Sequence, residues 1–348
     1  MQLDARGEGS AVKFAGHHIL GISQFDRGDV DRIFDVADRM RPYAQRERKT
    51  TVLEGAILGS MFFEPSTRTR ISFGSAFNLL GGHVRETTGF ESTAIAKGES
   101  LYDTARVLSG YSDAIVMRHP TAGSVSEFAS ASRVPVINGG DGANEHPSQA
   151  LLDLYTIRSE LAGRQLGIDG LRIAMVGDLR FGRTVHSLSR LLTRFKNVSV
   201  SLVSPLELKM PGELVEDMRQ SGVDVVETDQ LELGIANVDI VYSTRIQEER
   251  FESQADADLY RGRFRLNQSI YTALCEPNTV IMHPLPRDSR EGSQELDDDL
   301  NDDPNLAIFR QSDNGVLDRM ALFALILDVA DQVDDYSKPV NWSTERRF

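Results

Sequence analysis

"AILGSMFF" (56–63), "EPSTRTR" (64–70) and "ISFGSAFNLLGG" (71–82) follow one another without a break. The first is a continuous apolar run of strand length. The last has helical periodicity and stops at two glycines. A strand that passes through a short turn into a helix is half of a βαβ unit, the building block of parallel α/β sheets. Pro65 suits a helix entrance, and Ser66 or Thr67 can cap it. Capping does not explain why Arg68 and Arg70 stand at the positive end of the helix dipole, where cations are disfavoured. A bound anion reverses that penalty, because backbone N–H groups, three hydroxyls and a guanidinium all donate to phosphate oxygens. The turn reads as a phosphate site.

The same alternation continues on both sides. "DVDRIFDVADRM" (29–40) puts Val30, Ile33, Phe34, Ala37 and Met40 on one helical face, and residues 1 to about 17 read as a loose leader. "YSDAIVMR" (111–118) and "VPVIN" (134–138) are strands with a helix, "SVSEFASAS", between them. "HPSQALLDLYTIRSELAG" (146–163) is a long helix, after which "LRIAMVGD" (171–178) opens a second strand series with "VSVSLVS", "VDVVET" and "VDIVYS". The fold class is α/β: two doubly wound domains, each a mainly parallel sheet flanked by helices, joined by interdomain helices. A length of 348 residues fits two cores better than one.

The net charge of -14 argues against a nucleic-acid or anionic-membrane binder, since both want a basic footprint. Cys275, the only cysteine, excludes a disulfide framework and a cysteine-based zinc site. The N-terminus lacks a signal-peptide core, and "MALFALILDVA" (320–330) is too short to span a bilayer, so it reads as a buried helix and the cytoplasm is expected. The acidic run "ELDDDLNDD" (295–303) lacks the glycine and glutamate of a calcium loop and reads as solvated.

"GDLRFGRT" (177–184) lies one substitution from a Walker A loop, with Arg183 for lysine. A P-loop-like nucleotide-binding protein is therefore one alternative. Asp178 opposes it, because it would put a carboxylate into the phosphate cradle.

The turn at 62–70, with "KGES" (97–100), "MRHP" (117–120), "HPSQALLDL" (146–154), "GDLRFGRTVHSL" (177–188), "TRIQ" (244–247) and "HPLPR" (283–287), resembles the carbamoyltransferases. The order of these segments is similar to that of the catalytic chains acting on aspartate, over roughly residues 18 to 330. The resemblance implies transfer of a carbamoyl group from carbamoyl phosphate to L-aspartate, an early step of pyrimidine (UMP) synthesis, with no cofactor and no metal. It implies a carbamoyl phosphate domain at 1–160, with the helix at 315–332 packing back onto it, and an aspartate domain at 161–314.

Residue by residue, the resemblance gives the phosphate to Ser66, Thr67, Arg68, Thr69 and Arg118. Thr69, Arg118 and His146 also reach the carbonyl oxygen, which gains charge on attack and needs preplaced donors. Gln149 and the backbone carbonyls of Leu285 and Pro286 hold the amino group, which needs acceptors. Arg183 clamps the α-carboxylate of aspartate, and Arg245 and Gln247 take its side-chain carboxylate. Lys97 and Thr93, in the small-residue loop "FESTAIAKGES" (90–100), cross to a neighbouring subunit's site in a homotrimer, where Lys97 joins the catalytic and aspartate-binding residues. Thr93 stands where the family has serine. Regulatory chains or a pathway enzyme are partners that the resemblance leaves open.

An ornithine-specific relative is the enzymatic alternative. Glu64 where lysine is usual, "HPLP" for "HCLP", and no "SMG" segment oppose it. His17, His18, His83, His119, His186 and His283 receive structural readings, although His186 could orient Arg183.

Overall fold

A computed structural model describes residues 14–89, 98–164, 166–247, 260, 262–290 and 292–342. It divides into two compact units, Met1–Asp141 with Val316–Phe348, and Gly142–Gly315. Thr93 and Lys97 lie outside the described residues.

The first unit holds α1 (Arg27–Ala44), the short strand β1 (Arg48–Thr50), β2 (Ile57–Phe62), α2 (Thr67–Leu79), β3 (His83–Thr88), α3 (Leu101–Leu108), β4 (Ala114–His119), α4 (Ser124–Ala131) and β5 (Val136–Asp141). Its main sheet has the order β3-β2-β4-β5, every pair parallel. β4 and β5 are buried along their whole length and β2 nearly so, because helices cover both faces of a parallel sheet. The edge strand β3 is largely exposed, and its sequence "HVRETT" carries no apolar run to announce it. One core cluster packs Met61, Ile115, Met117 and Val136 of the strands against Ala105 of α3 and Val125 and Phe128 of α4.

The second unit holds α5 (Pro147–Ala162), β6 (Arg172–Val176), α6 (Arg183–Leu192), β7 (Ser199–Val203), α7 (Gly212–Gln220), β8 (Asp224–Thr228), β9 (Ile240–Ser243) and β10 (Val280–Met282). The sheet runs β10-β9-β6-β7-β8, again all parallel. The expected architecture of parallel sheets with alternating helices is present in both units. Compactness puts α5, expected as a bridge, with the second unit, where it packs along α6.

The helix Ile308–Ile326 runs through the division at Gly315/Val316, and its apolar second half is buried as read from "MALFALILDVA". Phe323 meets Phe77 and Phe73 of α2 edge-on, at centroid distances of 4.9 and 5.9 Å. Arg319 stacks over the Phe73 ring at 4.7 Å from its centroid and donates to Ser72 Oγ at 2.7 Å. The acidic run departs from the solvated reading. Arg265 holds Asp297 through two bonds of 2.5 Å, and Leu296 and Leu300 are buried.

Because Phe323 is fully buried in an aromatic cluster, Phe323→Ala leaves a cavity where three rings met. The expected loss is about 3–5 kcal/mol of stability, read by urea unfolding. A change below about 1 kcal/mol would show that this cluster does not anchor the helix.

Candidate active site

Strands wound in both directions from a central pair leave a crevice at their carboxyl ends, where open α/β sheets bind ligands. In the first unit that reversal lies between β2 and β4, since β3 continues on one side and β5 on the other. Phe62 and Arg118 are register partners there, so the turn at 63–66 and the end of β4 emerge side by side.

Ser66 is the N-cap residue of α2 in extended geometry, yet its side chain makes no capping hydrogen bond. No acid occupies the first turn of α2. The capping explanation for the hydroxyls therefore fails locally. Thr69 is buried, Ser66 is half-buried, and Thr67 and Arg68 are exposed at the helix entrance. The two arginines separate by role: Arg70 is tied to Glu86 of β3 at 2.7 Å. Arg118 is buried and donates through Nε to Glu64 Oε2 at 2.9 Å, with Nη2 also 2.9 Å from that oxygen. Its Nη1 donates to the Gly139 carbonyl at 3.4 Å.

In the second unit the reversal falls between β6 and β9. Gly177, at φ 117°, turns the chain out of β6, and a Cβ there would stand 2.3 Å from the Thr244 carbonyl oxygen. Asp178 follows, fully buried. Its Oδ1 accepts the backbone N–H groups of Arg180 (3.1 Å) and Phe181 (2.9 Å), and its Oδ2 that of Gln247 (3.2 Å). In a P-loop such N–H groups cradle a phosphate. Here the chain's own carboxylate takes them, which removes the P-loop reading. The same bonds fasten the 244–247 segment beside the 177–183 loop. Arg183 starts α6 and donates from Nη1 to the Gly142 carbonyl at 2.6 Å. Arg245 and Gln247 are half-buried after β9, with Arg245 Nη1 donating to the Ile246 carbonyl at 3.1 Å.

His146 precedes Pro147, the first residue of α5, where a missing N–H costs nothing. Its backbone N–H donates to Ser187 Oγ at 3.2 Å, and that hydroxyl donates to Glu145 Oε2 at 2.6 Å. Arg190 pairs with the other oxygen of Glu145 at 3.2 Å. The α6 helix thus fixes the start of α5. Gln149 lies on the first turn of α5 and donates from Nε2 to Asp153 at 2.8 Å.

Leu285 and Pro286 belong to the loop after β10. The His283 N–H donates to Gln311 Oε1 at 2.9 Å, and the Leu285 N–H donates to His283 Nδ1 at 2.8 Å. Leu285 sits at φ 56°, in the left-handed region, so these bonds hold a conformation that leucine rarely adopts. Arg287 reaches the Asp297 carbonyl at 3.3 Å and pins the far side of the loop.

Two of the buried histidines given structural readings, His186 and His119, make hydrogen bonds to the backbone. His186 Nε2 donates to the Leu179 carbonyl at 2.8 Å, and burial pulls its pKa down, so it acts as a neutral strut. His119 accepts the Thr121 N–H at 3.0 Å, and burial lowers its pKa too. Cys275 has its thiol pushed up to about 11 by burial, which leaves it protonated near neutrality. The sequence reading missed Glu145, Asp153 and Ser187 as organisers of the site. A lone aspartate inside "ALLDLYTI" (150–157) was the available signal.

Residues 17–159 match the carbamoyl-phosphate-binding domain of aspartate/ornithine carbamoyltransferases, and residues 169–326 match the Asp/Orn-binding domain. The chain belongs to the aspartate/ornithine carbamoyltransferase family. The aspartate carbamoyltransferase catalytic subunit of Saccharophagus degradans is 72% identical over 337 residues, covering 97% of this chain and 100% of that protein. Its counterpart from Cellvibrio japonicus is 71% identical over 336 residues, with 97% and 99% covered. Among solved structures, Trypanosoma cruzi aspartate transcarbamoylase in complex with carbamoyl phosphate and aspartate superposes with a TM-score of 0.82 at 37% identity. That match covers 91% of this chain and 99% of the other.

Proposed function

We propose that this chain transfers the carbamoyl group of carbamoyl phosphate to the α-amine of L-aspartate, releasing N-carbamoyl-L-aspartate and phosphate. The observation that carries the reading is the entrance of α2: hydroxyl side chains not spent on capping, no acid in the first turn, and an arginine at the positive end. Membership of the family, and relatives named for this reaction, support it. The product places the chain in pyrimidine synthesis.

Ser66, Thr67, Arg68 and Thr69, with Arg118, hold the phosphate by charge-assisted bonds. Gln149 and the carbonyls of Leu285 and Pro286 accept from the carbamoyl amino group. The uncharged amine of aspartate attacks the carbamoyl carbon, forming the C–N bond. Thr69, Arg118 and His146 donate to the oxyanion that develops. The C–O bond to phosphate then breaks, and the departing phosphate, with a second pKa near about 6, accepts the amine's proton. Arg183 binds the α-carboxylate, and Arg245 and Gln247 bind the side-chain carboxylate. Two arginines around the second substrate favour an anionic side chain over the cation of ornithine.

In domain terms, 1–160 with the helix at 315–332 binds carbamoyl phosphate and 161–314 binds aspartate. The chain works in the cytoplasm as a homotrimer in which Lys97, with Thr93, completes a neighbour's site. Regulatory chains or a pathway enzyme remain partners to test by co-purification. Among the described residues no helix is long and apolar enough to cross a membrane.

Arg68→Ala should remove nearly all turnover while leaving thermal stability intact, because the lost bonds act on an exposed anion site. Near-normal kcat in a folded variant would refute the phosphate assignment. Arg245→Ala should raise the aspartate KM by about a hundredfold and leave carbamoyl phosphate binding nearly unchanged. Equal weakening of both ligands would break the two-site division.

For the shared site, Arg68→Ala and Lys97→Ala chains are dissociated, mixed in equal amounts and reassociated. Random mixing puts both types into about three-quarters of cyclic trimers, each with one intact site, and so restores roughly a quarter of wild-type sites. Activity that stays at the level of the separate variants would return Lys97 to the solvent.

A further inference from the structure

Asp153 stands one turn beyond Gln149 on α5 and is fully buried. Its Oδ1 accepts from Gln149 Nε2 at 2.8 Å and from Gln311 Nε2 at 2.7 Å. Its Oδ2 accepts from the Tyr242 hydroxyl at 2.7 Å. Tyr242 is itself fully buried, and burial together with the charge on Asp153 drives its pKa well above the usual phenol value. The phenol therefore keeps its proton and remains a donor.

An ionised carboxylate can only accept, so both amides must turn their NH2 ends toward it and their carbonyl ends away. For Gln311 the far end is occupied: its Oε1 accepts the His283 N–H at 2.9 Å, and His283 in turn accepts the Leu285 N–H at 2.8 Å. For Gln149, half-buried, the far end is a carbonyl oxygen with no partner among the described residues. One carboxylate thus sets the orientation of one amide directly and of the 283–285 backbone through another. These are the groups read above as acceptors for the carbamoyl amino group.

We propose that Asp153 is a positioning residue: it presents Gln149 Oε1 and, through Gln311, the Leu285–Pro286 backbone as acceptors, and so makes the site select an acyl phosphate bearing NH2 over one bearing CH3. The inference rests on the assignment of Gln149, Leu285 and Pro286 to carbamoyl phosphate. It also accounts for a buried charge inside an apolar helix stretch. A hydrophobic residue there would avoid the desolvation cost, but it would leave both amides free to present either end.

The experiment measures dissociation constants of carbamoyl phosphate, acetyl phosphate and inorganic phosphate for the full chain and for Asp153→Asn. Acetyl phosphate replaces the amino group by a methyl, and inorganic phosphate lacks the acyl group. Asparagine keeps the size of Asp153 but turns one of its two acceptors into a donor, so either an amide meets an NH2 group or the Tyr242 hydroxyl must turn from donor to acceptor. In Asp153→Asn the preference for carbamoyl over acetyl phosphate should fall by about tenfold or more. Inorganic phosphate affinity should stay within about twofold of wild type. A purely structural role would weaken all three ligands together and leave the preference standing. Folded Asp153→Asn and Gln311→Leu variants that both keep the wild-type preference within about twofold overturn the proposal. Should Asp153→Asn fail to fold, Gln311→Leu decides by the same ratio, since it cuts the link to the 283–285 backbone. A wild-type chain that binds acetyl phosphate as well as carbamoyl phosphate would instead sink the substrate assignment itself, before either variant is read.

Discussion

Parallel strands buried on both faces leave the chain few places to put polar chemistry. The middle of each sheet offers little room for it, because Ala114–Met117 of β4, Val136 and Ile137 of β5 and the inner part of β6 are apolar and buried under helices. Helix entrances and strand exits at the carboxyl edge remain, and they come with donors already oriented. Among the described residues, those proposed to bind a substrate lie at such an edge or at the start of a helix: Ser66 to Thr69 at α2, Arg118 at the end of β4, His146 and Gln149 at α5, Arg183 at α6, Arg245 and Gln247 after β9, and Leu285 and Pro286 after β10. The constraint acts once in each unit, at the crevice between β2 and β4 and at the crevice between β6 and β9.

Loops at such edges need internal fastening, and in the second unit three buried carboxylates supply it. Asp178 gathers backbone N–H groups from two strand exits, and Glu145 ties the start of α5 to Ser187 and Arg190 of α6. Asp153 gathers two amides and a phenol. A buried carboxylate is costly unless its oxygens are filled with donors, and each of these is filled. In exchange, each converts a loop with many conformations into one with few. The division of labour is clear at the Walker-like loop, where the carboxylate that organises the turn also keeps a nucleotide's phosphates out.

Much of this was legible in the sequence, and the reasons differ by element. β2, β4 and β6 are apolar runs bounded by turn residues, so their burial announces them. β3 carries "HVRETT" on an exposed edge and gives no such signal, while β10 is only three residues long and merges with the loop that follows. The turn at 64–69 reads as an anion site from the sequence because arginine at a helix entrance contradicts the dipole. Asp153, Glu145 and Ser187 were not read, because their roles depend on partners as far as 41 to 158 residues away in the chain. Local pattern cannot supply such pairings. The acidic run at 295–303 misled for the same reason: Arg265, which neutralises Asp297, is 32 residues upstream.

Charge raises a last physical question, since a chain of net charge -14 is read as binding anions. At physiological ionic strength the screening length is about 8 Å, so distant surface carboxylates contribute little to a contact inside a crevice. Local pairing matters more. Many arginines are already committed: Arg70 to Glu86, Arg172 to Asp239 and Arg310 to Glu160. Arg118 is committed as well, to Glu64, yet it is buried, and a lone buried cation would be far costlier than a paired one. Glu64 thereby compensates the guanidinium charge and orients the fork. A phosphate carries more negative charge than one carboxylate and offers three acceptor oxygens, so it can compete for that fork where a neutral ligand cannot. In the proposed phosphate site the positive end of α2 and Arg68 add to that attraction.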